Sequence, residues 1–78
     1  MSLIKIDRVQ FGRRVRGLLA DRNMKEKDLA LELGMNPTSL GRILRGDQEP
    51  TASAVAGIAW LLQASADYLL GIERNRRI

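Results

Sequence analysis

Apolar side chains recur along this chain at helical intervals, and no segment reads as a strand, a repeat or a linker. Phe11, Val15, Leu18 and Leu19 stand at i, i+4, i+7 and i+8 and predict a first helix from Arg8 to about Arg22. Asp7 followed by Gln10 has the spacing of a capping box at its start. Leu29, Ala30 and Leu33 mark the buried face of a second helix, and Leu40, Ile43 and Leu44 that of a third. Val55, Ile58, Ala59 and Leu62 form the core stripe of a fourth, capped by Thr51. A short fifth runs from a Ser65 cap through Leu70, closed by Gly71, with Ile72 placed to pack back on it. The pattern is all-α, with five helices.

The stretch Lys25 to Gly46 organises the rest. Gly34 follows the last apolar contact of the second helix, where a left-handed residue ends a helix. Asn36-Pro37 then opens the third: proline has no N–H to leave unpaired at the first helical position and pushes Asn36 into the extended conformation of an N-cap. Met24 and Leu29 have the spacing of a hydrophobic staple. Lys25 is a poor N-cap, offset in part by Glu26 and Asp28 acting on the helix dipole. Gly46 is the expected C-cap of the third helix. Two short helices joined by a tight turn form a helix-turn-helix, with Pro37 to Arg45 as the helix presented to a partner. By spacing, Thr38, Gly41, Arg42 and Arg45 share its outward face.

Charge and composition sharpen this reading. The 78 residues carry 13 basic and 9 acidic side chains, a formal charge of +4 that favours an anionic partner. There is no cysteine for a thiolate site and no histidine to serve as base or metal ligand. No enzyme activity, metal, cofactor or small-molecule substrate is therefore expected. No signal peptide is visible, and the uncharged run from Thr51 to Ala66 is too short to span a bilayer, so a cytoplasmic protein with no membrane partner is expected. The whole chain, residues 1–78, reads as one domain, with a core from about 7 to 72 and a basic tail at 73–78. Arg13, Arg14 and Arg16 lie off the first stripe, either as a solvated face or as phosphate contacts. The fourth helix is apolar on every side, which makes Trp60 and Leu61 candidates for a self-association surface. The alternative is that Trp60 folds back onto its own core.

With these residues in place, FGRRVRGLLADRNMKEKDLALELGMNPTSLGRILRGDQEPT and the later IAWLLQASADYLLG resemble the Cro and phage-repressor helix-turn-helix regulators, the XRE family. The ordered set Leu29-Ala30, Leu33-Gly34, Leu40, Ile43, Gly46 and Pro50 carries the resemblance. It implies a five-helix lambda-repressor-like DNA-binding domain, a homodimer on an inverted-repeat operator in double-stranded DNA, and a role as transcriptional regulator, in the first instance a repressor. The family's base-reading positions fall here on Pro37, Thr38 and Arg42. Arg42 can pair bidentately with guanine, Thr38 can meet a thymine methyl, and Pro37 reads only by shape or apolar contact. Arg13, Lys25, Lys27, Ser39 and Arg45 are the expected phosphate contacts. Gly41 either lets the groove wall come close or is merely tolerated.

Two positions depart from the family. Glu26 stands where a polar phosphate-binding side chain is usual, a contact that Lys25 and Lys27 would take over. Leu19 and Leu44 replace a buried arginine–glutamate pair, an exchange that spares the desolvation of two charges and brings Leu19 against Leu44. A competing function is a protein-interaction module, such as an antitoxin or adaptor, that keeps the fold.

Overall fold

Residues 6–72 are described by a computed structural model. Within them lie α1 (Arg8–Asp21), α2 (Glu26–Leu33), α3 (Pro37–Leu44), α4 (Ala52–Leu62) and α5 (Ala66–Leu70). The expected basic tail at 73–78 lies outside the described residues. The starts follow the sequence, because short polar side chains accept from otherwise orphaned amides. The Asp7 carboxylate accepts from the Gln10 amide at 3.1 Å, and the Asn36 side chain from Thr38 at 2.8 Å. The Thr51 and Ser65 hydroxyls accept from Ala54 at 3.0 Å and Tyr68 at 3.3 Å. Lys25 has no acceptor to offer, and the Asp28 carboxylate instead accepts from the Lys25 amide at 3.3 Å. Asp28 thus supports this start by a hydrogen bond as well as through the dipole.

At the other ends, Gly34 is left-handed (φ +70°), as its turn requires. Two expectations shift. Arg45, still near-helical, is the cap of α3, and the left-handed Gly46 follows it. The Ile72 amide closes α5 onto the Asp67 carbonyl at 2.9 Å, yet its side chain does not pack back and stays 43% exposed.

Phe11, Val15 and Leu19 of α1 join Leu29, Leu40, Ile43, Leu44, Ile58, Leu62 and Leu69 in one core. α3 packs on α1 and α2, while α4 packs on α2 and α5 and more lightly on α1. Leu19 and Leu44 are both buried in that core, where the family would carry charges. Ala54, outside the predicted core stripe of α4, is buried as well.

One approach between elements is closer than any side chain permits. A Cβ added to Gly12 would lie 1.8 Å from the Leu44 carbonyl oxygen and 2.7 Å from its carbon. α1 therefore meets the end of α3 backbone to backbone, and only glycine fits. Gly17, five residues on and exposed, would meet nothing within 4 Å. Gly12→Ala is expected to lower unfolding stability by about 1–3 kcal/mol through forced separation of the helices. Gly17→Ala should raise it by roughly 0.8 kcal/mol through helix propensity alone. Urea denaturation of the two variants beside the parent measures both.

Candidate nucleic-acid interface

In α3, Leu40, Ile43 and Leu44 face inward and are fully or almost fully buried. At about 100° per residue, Thr38, Arg42 and Arg45 fall on the opposite side. All three are exposed, as is Pro37 at the head of the helix. Gly41, on the same side, and Ser39, at its edge, are half-buried. The same eight residues thus anchor the helix by one face and present the other. Arg45 is not idle: its Nε meets the Asp47 carboxylate at 3.3 Å, both side chains being more than 60% exposed. A solvated pair of this kind contributes about 0–1 kcal/mol and yields readily to a competing anion.

Lys25 and Lys27 are exposed at the start of α2, and Arg13 is exposed on the outer side of α1. Arg8, Arg13, Lys27 and Arg42 make no side-chain hydrogen bond or ion pair among the described residues. The other arginines of the first helix do something different. Arg14 and Arg16 flank the buried stripe of α1 on opposite sides, and each reaches a neighbouring helix end. The Arg16 Nη1 donates to the Leu44 carbonyl at 2.7 Å, at the C-terminus of α3. The Arg14 guanidinium lies 5.6 Å from the centre of the Tyr68 ring and close against Gly71, at the C-terminus of α5. Arg22, which periodicity marked only as the end of a helix, donates to the Leu62 carbonyl at the end of α4 and to Leu18 within α1.

Helix C-termini carry unpaired carbonyls and a partial negative charge, so cations there are favourable. Of the three arginines offered as solvated or phosphate-facing, Arg14 and Arg16 are therefore occupied within the fold and Arg13 is not. The wheel position of a residue at the border of an apolar stripe was the available signal for Arg14 and Arg16. Nothing local pointed Arg22 to a residue forty positions away.

Trp60 does not fold back on the core; it is 79% exposed. Shallow concavities lie on either side of it, one lined by Ala56, Ala59, Gln63 and Ala64, the other by Glu32, Leu33, Ser53 and Gly57. Leu61 lines both but is half-buried and packed against the core, so only part of it is open to a partner. Tyr68, not singled out by sequence, and Ile72, which does not pack back, are exposed near Arg14. No group of three acidic side chains suited to a metal ion occurs among the described residues, and no described helix is long and apolar enough to cross a membrane.

A family model described as a helix-turn-helix domain matches residues 10–76, from within α1 to beyond α5. The chain belongs to that family. Its five-helix fold is the one that phage-repressor DNA-binding domains share, as the sequence resemblance implied. The restriction-modification controller protein C.AhdI from Aeromonas hydrophila is 25% identical, with a TM-score of 0.74 over 81% of this chain and 96% of that one. The clp gene regulator ClgR from Corynebacterium glutamicum is 27% identical, with a TM-score of 0.74 over 81% of this chain and 67% of that one. The P22 c2 repressor, solved in complex with a synthetic operator, shares the fold at 24% identity, with a TM-score of 0.73 over 81% of this chain and 96% of that one. No curated protein matches the chain.

Gly41 of this helix-turn-helix is not required by the fold. A Cβ there would meet only the movable end of the Arg45 side chain, at 3.3 Å. Gly41→Ala should accordingly stabilise the protein by about 0.5–1 kcal/mol. Thermal unfolding without DNA reads this directly: a higher Tm is expected, and a lower one would mean that the position needs glycine for packing.

Proposed function

We propose that this helix-turn-helix protein is a sequence-specific regulator of transcription that represses as a cytoplasmic homodimer on an inverted-repeat operator. It acts by binding and not by catalysis. The observation that carries the reading is the division of α3 into a buried face of Leu40, Ile43 and Leu44 and an exposed face headed by Pro37, Thr38 and Arg42. A duplex major groove accepts a helix presented in this way. Arg42 supplies a planar double donor for guanine O6 and N7, and Thr38 a methyl and a hydroxyl for a neighbouring base. Arg13, Lys25, Lys27 and Ser39 contact phosphates, and Arg45 joins them by exchanging Asp47 for a phosphate oxygen. The likeness to a restriction-modification controller protein and to a clp gene regulator supports a regulatory role.

Dimerisation rests on the Trp60 surface together with the open part of Leu61. A large aromatic on an uncharged helix face fits a two-fold contact. Two such protomers would set their recognition helices about 34 Å apart, one turn of the duplex. The same exposed tryptophan favours, as a second reading, an antitoxin or adaptor that uses α4 to hold another protein.

Selection of bound sites from random duplex DNA should return an inverted repeat with a guanine in each half-site. Arg42→Ala should cost about 1–3 kcal/mol of discrimination at that guanine. Affinity should fall steeply with added salt through counterion release. A flat salt response, or selection that returns no motif, contradicts the reading; partner binding unaffected by Arg42→Ala then favours the adaptor. Trp60→Ser should sediment as a monomer at concentrations where the parent is a dimer, and unchanged sedimentation would move the interface elsewhere.

A further inference from the structure

Two residues of α1, one turn apart, hold the same atom of the recognition helix. Gly12 leaves no room beyond the Leu44 carbonyl oxygen, and Arg16 donates to that oxygen at 2.7 Å. Leu44 is the last residue of α3. The amides that follow it turn to other carbonyls: Arg45 to Gly41, Gly46 to Ile43 and Asp47 to Arg42. Arg16 is thus the donor that the Leu44 carbonyl has among the described residues, and no backbone amide replaces it. At its other end α3 is fixed by the Asn36 cap and the turn from α2. Arg42 and Leu44, two residues apart, lie about 200° apart around the helix, on nearly opposite sides. The contact with α1 at the end of α3 therefore lies away from the face that carries Arg42.

We infer that Arg16 is a positioning residue for base readout: its bond to the Leu44 carbonyl sets the depth and tilt at which α3 offers Arg42 to the groove. This rests on the function proposed above. Arg16 is exposed, but its guanidinium is engaged with the Leu44 carbonyl and not with phosphate, so its loss weakens discrimination and leaves sequence-independent attraction in place. Arg14 supplies the matched control, since it carries the same charge on the other flank of α1, against Tyr68 and away from α3.

The test measures affinity for the selected operator and for a random duplex, by fluorescence anisotropy over a salt series. Arg16→Met is expected to lower the operator-to-random ratio about tenfold, the effect of one charge-assisted hydrogen bond expressed in placement of the helix. The salt slope should not change. Arg14→Met should leave the ratio alone, and Arg16→Lys, which keeps a donor, should recover most of it. An equal loss on both duplexes with a salt slope lower by about one would make Arg16 a phosphate contact and overturn the inference. An unchanged ratio would overturn it too. Circular dichroism checks that each variant is folded; should Arg16→Met unfold, Arg16→Gln, with a shorter donor, takes its place. In the DNA-free protein, Arg16→Met should speed amide exchange at Arg45 and Gly46 and spare the end of α4; equal protection would also overturn it. If the parent prefers no duplex, the proposed DNA function fails, while the exchange result still decides whether Arg16 holds α3.

Discussion

The close approach of Gly12 to the Leu44 carbonyl is the constraint on which the presentation of α3 depends. Helices usually pack with axes 8–10 Å apart because side chains keep them there. Here the crossing point has no side chain on one partner and a helix-terminal carbonyl on the other. α3 is seated on a surface that cannot yield, since backbone has no rotamer to change. Leu40, Ile43 and Leu44 then fill the space on either side of the contact. The inner face of α3 is thus fixed by shape before any polar interaction is considered, and Arg16 adds direction to a contact that packing alone would leave free to slide.

The arginines of the first helix divide between two tasks. Arg14, Arg16 and Arg22 reach the C-terminal ends of α5, α3 and α4 respectively. Arg16 and Arg22 donate to carbonyls that the helix geometry leaves without partners, and Arg14 places its charge beside the end of α5, so α1 and its cap reach three other helices. Their charges still add to the potential around the protein, but Arg16 and Arg22 already donate within the fold and Arg14 lies against Tyr68. A formal charge of +4 therefore overstates the number of side chains ready to meet phosphate. Arg8, Arg13, Lys25, Lys27 and Arg42 remain exposed, with Arg45 held only by a solvated pair.

The apolar surface divides in a similar way. α4 uses Ala54, Val55, Ile58 and Leu62 inside, and Gly57 admits Leu33 of α2 so closely that a Cβ there would lie 2.7 Å from it. Trp60 stays in solvent. Tyr68 and Ile72 form a smaller exposed patch beside Arg14 at the end of α5, shaped by the Schellman closure that engages the Ile72 amide and leaves its side chain in solvent.

Sequence by itself determined the five helices, their N-caps and the two faces of α3. Those features come from local rules: a period of 3.6, an acceptor side chain before each of four starts, a proline after Asn36, and a glycine at the turn. It also marked Thr38 and Arg42 as outward, because their separation from Leu40, Ile43 and Leu44 is fixed by the helix itself. Tertiary structure decided what no local rule contains. The need for glycine at position 12 arises from a carbonyl thirty-two residues away, and the destinations of Arg16 and Arg22 lie 28 and 40 residues distant. Whether a long cationic side chain caps a neighbouring helix or stays in solvent depends on which carbonyl the fold brings within its reach. That is a property of how helices cross, and it is written in no window short enough to show periodicity.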